Sequence, residues 1–413
     1  MNLEAKHHNL IIYIFCSTFY IIEIEVLLLR NYGLLIVLGI LIISSITYLF
    51  DLQVNKKEPL NQKLPEQDIV KQDIVKQDIV IREELDRIDF IAADNLAQPV
   101  SEPIRISFVG DIMMDGSIKS TLRTKGSLYP YTHIKEEIQQ SDLAVANLET
   151  AVTTSTNIFP KQYNFKADSD ALSGLKEAGF DLVSLANNHT MDFGQAGLLE
   201  TLASLQEYNI ASIGAGKNAE EAYRSHEVII KGKIIKTLAF SRVLPDVAWK
   251  VQQDVPGIAD GYNLDHILTI IGTEKQTADY LLVYMHWGKE KQKHPETFQR
   301  EWAHKMIDFG ADAVIGSHPH VLQGFEFYNG KAIAYSLGNF LFPDYVKGDS
   351  AQTGILHLTL TEENISMNFN PYYIREDLII PQSNLEKINV WNELEKISYN
   401  ITVDNGEIIW MHP

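Results

Sequence analysis

Apolar positions follow three different patterns along this chain. Between residues 9 and 50 they run with few breaks, and within 51–103 a stretch from Gln67 repeats them with a five-residue period. From Ile104 they come in short blocks separated by amphipathic stretches. In the first region, "YGLLIVLGILIISSITYLF" (Tyr32 to Phe50) carries no charge and is long enough to cross a bilayer as a helix. No small-residue cleavage site follows Phe50, so a retained transmembrane anchor over 32–50 is expected. An earlier apolar segment, 9–29, is interrupted by Glu23 and Glu25, and carboxylates are costly inside a membrane. It reads as a second span, an interfacial helix or a non-native extension. Flanking bases are too few to set an orientation.

The second pattern is the repeated unit QDIVK from Gln67. A period of five keeps apolar residues on no single face of a helix or strand. Residues 51–103 are therefore expected to be a stalk, with a short coiled coil as the alternative, ended by the prolines of "AQPVSEP".

The third pattern predicts an α/β domain over 104–380. "IRISFV", "DLAVA", "DLVSLA", "DYLLVYM" and "ADAVI" read as strands. "DALSGLKEAGF", "QAGLLETLASLQEYNI" and "ETFQREWAHKMIDFG" read as helices, the first stopped by Gly179. Hairpins are expected at Lys231-Gly232, across "GFEFYNGKAIAYSLGNF" with its turn at Asn329-Gly330, and between "GILHLTL" and "NISMNFN". The hairpins suggest a second, more antiparallel sheet, giving a two-sheet core flanked by helices. Residues 381–413 read as an appended helix and strand.

Composition narrows the function. The 413 residues are 45% apolar, enough for a sizeable core, and 54 acids against 35 bases give a net charge of −19. That balance argues against a nucleic-acid partner. Cys16 is the only cysteine, which excludes a disulfide framework and a cysteine-ligated zinc.

Five predicted strands each run directly into a polar cluster: "GDIMMDG", "NLET", "NNHTMDFG", "HWGKE" and "GSHPH". Ligands gather at the carboxyl ends of strands in α/β sheets, so these five loops should meet at one edge. They offer Asp111, Asp115, Glu149, Asn187, Asn188, His189, Asp192, His286, Glu290, His318 and His320. Carboxylate, amide oxygen and imidazole together suit a borderline divalent metal such as Mn, Fe or Zn. Glu149 is the natural bridging carboxylate. Two ions about 3.5–4 Å apart would lower the pKa of a bridging water and clamp an in-line displacement. His189 could act as acid toward the leaving group, with Asp192 beside it in the catalytic set. Each residue alone has a simpler reading: Asp111 as a turn or cap, Asn187 and Asn188 as left-handed turn residues, His286 as a core histidine. His294, His304 and His357 fall outside the set and read as structural.

Taken together, "FVGDIMMDG", "ANLET", "SLANNHTMDFG", "HWGKE" and "GSHPHVLQGFEFYNGKAIAYSLGNF" resemble the successive motifs of poly-γ-glutamate capsule synthesis proteins of the CapA/PgsA type. The resemblance covers about Ile104 to Phe342. It implies a four-layer α-β-β-α sandwich similar to the calcineurin-like metallophosphoesterases. It also implies a cell-membrane protein whose main domain lies outside, working with polyglutamate synthase subunits on an acidic polymer or phosphoester-type substrate. By the same resemblance, Asp111, Glu149, Asn188, His286, His318 and His320 would be the ligands of two divalent metal ions, and His189 the catalytic acid. One position departs: Met113 stands where the phosphoesterase motif has histidine, and a thioether is a poor ligand for such metals. Three functions follow as expectations: a membrane-anchored metal-dependent hydrolase or transferase, a non-catalytic binding or export subunit, or an envelope phosphoesterase unrelated to capsule.

Overall fold

Strand Ile104–Ile112 is buried along nearly its whole length, as an apolar run covered on both faces must be. In the computed structural model, which describes residues 102–411, it lies inside the larger of two sheets. It is followed in space by parallel neighbours Leu143–Leu148, Leu182–Ser184 and Ala211–Ile213. On its other side, antiparallel strands Gln352–Leu360 and Ile365–Arg375 continue the sheet. The smaller sheet has a parallel centre of Lys233–Ser241, Tyr280–His286, Ala313–Ser317 and Lys331–Ala334. Its edges are His226–Ile230 and Phe325–Tyr328.

Alternation along the smaller sheet explains the layering. Ala239, Leu282, Tyr284, Ala313 and Ile315 share a core with the larger sheet. The intervening Phe240, Leu281, Val283, Met285 and Val314 pack with Ile267, Ile271, Ala303 and Met306. Those four come from helices Leu264–Lys275 and Thr297–Asp308. Helices Ala171–Ala178 and Gly194–Glu207 supply Leu172, Leu175, Leu198 and Leu205 to the core of the larger sheet. The result is a mixed α/β fold with two sheets sharing one core. All of this falls within one compact unit, Gln98–Pro413.

The local signals hold where turn chemistry decides them. Gly179 ends its helix in the left-handed region, and Asn329 and Gly330 both take positive φ, 50° and 72°. The predicted hairpin past Gly330 departs from expectation. It ends at Ala334, and the chain then crosses to the other sheet, where Asn339–Leu341 pairs in parallel with the end of Ile104–Ile112. During the crossing, Leu337 donates to the Gly316 carbonyl in one sheet, and Gly338 accepts from the Asp111 amide in the other. The crossing therefore stitches the two sheets together where the polar loops emerge.

This close approach is why residue 316 is glycine. A Cβ there would lie 2.0 Å from the Tyr335 carbonyl oxygen and 2.5 Å from Trp287 Nε1. Trp287 Nε1 donates to that same carbonyl at 3.0 Å. Gly316→Ala is expected to destabilise the domain by about 2–3 kcal/mol, the upper range of overpacking, and a thermal melt would read it. An unchanged melting temperature would contradict the stitching role.

The C-terminal segment extends the larger sheet. Helix Asn384–Ile397 begins with a Ser383/Glu386 capping box. Hairpin Ile401–Asp404/Glu407–Trp410 then joins Ile365–Arg375 through Met367 and Ile408. The expected anchor at 32–50, the apolar segment 9–29 and the QDIVK stalk lie outside the described residues. Among the described residues no helix is long and apolar enough to cross a membrane.

Candidate metal centre

Each polar cluster emerges from the carboxyl end of its strand, and the two sheets bring five such ends to one place. Asp111 is the penultimate residue of its strand, Glu149 follows Leu143–Leu148, and His286 closes Tyr280–His286. His318 and His320 follow Ala313–Ser317 at positive φ, 96° and 56°. Such a conformation costs a non-glycine residue about 1–3 kcal/mol, and here it turns two imidazoles separated only by Pro319 inward.

Two groups of donor atoms result, each within 4.8 Å: Glu149, His286 and His318 form one, and Asp111, Glu149 and His320 the other. Glu149 belongs to both. Its two carboxylate oxygens are buried and accept no hydrogen bond, and the buried His318 Nδ1 likewise has no partner. Buried polar atoms are nearly always paired, so three orphans within these two groups fit ligation of a cation. Asn188 joins the first group, its Oδ1 2.7 Å from His286 Nε2, and Glu149 Oε1 lies 3.5 Å from the same nitrogen. Nε2 faces the other donors, while His286 Nδ1 lies 3.1 Å from Ser317 Oγ and 3.3 Å from Asn147 Nδ2, which fix the ring's orientation.

Electrostatics agree with a cation position. Burial, with the Asp111 charge behind it, pushes the Glu149 carboxyl well above the ordinary carboxylate range. Burial holds His286 well below its usual value and brings His318 down to about 3. Both imidazoles are thus neutral, as ligation requires. His320 behaves in the opposite way. Burial disfavours its charge, but Glu149 and Asp111 outweigh that and push it up to about 10. Its Nδ1 lies 3.3 Å from Asp111 Oδ2 and donates to Asn339 Oδ1 at 2.9 Å. An imidazolium there occupies the electrostatic place of a cation.

His189 and Asp192 form a separate pair beside the metal ligands. His189 Nδ1 is 2.8 Å from Asp192 Oδ2, and its ring packs against Phe165, tilted by 31° at 4.3 Å between centroids. Burial lowers its pKa. The remaining sequence candidates do other work. Asn187 donates to the Leu148 carbonyl and accepts from the His189 amide. Asp115 accepts from the Gly116 and Lys166 amides. Glu290 is exposed and belongs to neither donor group. Met113 is buried among Phe342, Ala351 and Ile374, which leaves the Asp111 group with three side chains.

Three residues that the sequence did not single out complete the site. Asn147 donates to Asp111 Oδ1 at 2.8 Å and accepts from Asn187. Lys161 pairs with Asp192 at 2.6 Å and donates to the Asn188 carbonyl at 2.5 Å. Asn339 holds His320. A polar residue inside the buried strand "LAVANL" was the available signal for Asn147; Lys161, in an irregular loop, had none.

With this geometry in view, the comparison with known proteins is direct. Residues 105–344, the stretch holding every residue of the centre, match the family described as bacterial capsule synthesis protein PGA_cap. This chain belongs to the PGA_cap family. It is 34% identical over 240 residues to the PGA biosynthesis protein CapA of Bacillus subtilis (strain 168), covering 57% of this chain and 62% of that one. It is 32% identical over 248 residues to the capsule biosynthesis protein CapA of Bacillus anthracis, covering 59% and 60%. The matched region thus spans about three fifths of these PGA_cap relatives. Among solved structures, a hypothetical protein from Thermus thermophilus is similar at a TM-score of 0.42 and 18% identity, covering 65% of this chain and 99% of that one. A likeness that loose assigns neither fold nor site.

Proposed function

We propose that this chain is a metal-dependent hydrolase or transferase of the phosphoesterase kind. It would act in the synthesis or export of a poly-γ-glutamate capsule beside the synthase subunits, anchored in the cell membrane with the described domain outside. The observation that carries the reading is Glu149: a buried carboxylate with both oxygens free of hydrogen bonds, shared by the His286–His318 group and the Asp111–His320 group. The two-sheet core flanked by helices supports a metallophosphoesterase-like sandwich. Two divalent ions held there would activate a bridging water and draw charge from the bond being broken. Glu149 would span both positions. Asn188, His286 and His318 would complete one, and Asp111 with His320 the other. Asp192 fixes His189 through Nδ1, leaving Nε2 to move a proton at the leaving group. Lys161 holds Asp192 and the Asn188 backbone in register.

The test is metal analysis of the purified chain, followed by a hydrolysis screen with phosphodiester and γ-glutamyl substrates. Bound Mn, Fe or Zn is expected, and the double change His318→Ala, His320→Ala should remove it. Stoichiometric metal that survives the double change would refute the reading.

Met113 favours a second reading, a binding or export subunit without catalysis, because it leaves one group short of a ligand. Capsule output in cells should then persist when Glu149 and His189 are replaced. Loss of output at normal protein level would reject it.

A further inference from the structure

Arg242 stands at a sixth strand end on the same edge. It follows strand Lys233–Ser241, the parallel neighbour of Tyr280–His286, and its amide donates to the His286 carbonyl at 2.8 Å. The segment it opens runs to Trp249, whose ring lies 5.2 Å from Lys161 Nζ. Residues 242–249 therefore run from a metal-ligand candidate to the group that holds His189.

The guanidinium is fixed by aromatic rings. Its centre lies 3.9 Å from the Phe298 ring centroid, 4.6 Å from Trp302 and 5.6 Å from Tyr262. Cation–π contact satisfies the charge without using a hydrogen bond, and the two Nη groups make none to the described residues. Nε is buried with no hydrogen-bond partner, and among the described residues no carboxylate pairs with this side chain. Other arginines here do find acids: Arg300 forks onto Glu326, and Arg123 onto Asp168. A rigid arginine with an unspent donor edge matches the planar, two-oxygen geometry of a carboxylate or phosphate. In a chain of net charge −19, an acidic substrate also needs a local cation to be held at all.

We infer that Arg242, whose backbone amide is bonded to His286, is an anion-recognition residue that takes a carboxylate or phosphate of the substrate on its two Nη donors. The identity of that anion as substrate rests on the function proposed above; the binding itself does not. The test compares the full chain with Arg242→Met, which fills the aromatic box without charge, and Arg242→Lys. Each is titrated with a γ-linked glutamate oligomer, its neutral ester and phenyl phosphate, with metal content and melting temperature measured in parallel. Arg242→Met should weaken the oligomer or the phosphate roughly 10- to 100-fold, the range for a lost charged hydrogen bond. Arg242→Lys should fall between, and the neutral ester should be indifferent. Weakening confined to the oligomer assigns a carboxylate; weakening confined to phenyl phosphate assigns a phosphate. Wild-type affinity for both anions in Arg242→Met overturns the inference, as does failure of the wild type to bind either. Anion binding that depends on Arg242 in a chain without metal would uphold it while rejecting the metal-dependent function.

Discussion

Replacing Glu149 with glutamine is expected to empty both metal positions together. Its carboxylate is the one side chain common to the two donor groups. Removing the carboxylate's charge would deprive each ion of the proposed centre of its shared anion, and loss of even an outer partner of a metal ligand costs about 10- to 100-fold in affinity. A direct ligand shared by two ions should cost at least about 100-fold for both. Asp111→Asn is the contrast, because Asp111 belongs to one group only. Metal analysis of the two purified variants should show near-complete loss for Glu149→Gln and partial loss for Asp111→Asn. Equal partial loss in both would mean that Glu149 does not bridge. The same change should not harm the metal-free fold, since it replaces a buried carboxylate that accepts no hydrogen bond with a neutral amide of the same shape.

The second large effect concerns His189. His189→Gln is expected to lower kcat by about 10²- to 10⁴-fold, the range for loss of a positioned proton donor, while metal content stays at the wild-type level. His189 touches Asp192, Lys161 and Phe165 and belongs to neither donor group, so the two readouts separate. Substrates whose leaving group needs no proton should lose much less rate. If metal and activity fall together, His189 is a ligand or a support for one. If activity is retained on every leaving group, proton transfer lies elsewhere.

The centre was legible in the sequence to the extent that its chemistry is local. Asp111, Glu149, Asn188, His286, His318 and His320 each sit close to a strand end, and strand ends can be read from apolar runs. Gly179 and Asn329-Gly330 were legible for the same reason, because a turn needing positive φ selects its residue on the spot. Partners supplied from a distance were not. Lys161 reaches Asp192 from a loop 31 residues earlier in the chain, with no periodicity to mark it. Asn339 is placed by the crossing between sheets, which the sequence presented as the tail of a hairpin. The C-terminal hairpin carried a strand signal, but its partner, Met367 against Ile408, is a non-local pairing that alternation alone cannot select. Arg242 followed a predicted strand as the other site residues do, yet nothing local distinguishes an arginine stacked on aromatic rings from one in solvent.

The imidazolium of His320, set between Asp111 and Glu149, has a consequence for how the centre would be filled. The metal-free protein balances its buried carboxylates with protons held in the cluster of His320, Glu149 and Asp111: the carboxylates push His320 up to about 10. Ions entering must displace those protons, so loading is an exchange in which the protein releases acid. Occupancy should rise steeply with pH. Acidification of the medium would therefore lower the fraction of the protein that carries metal.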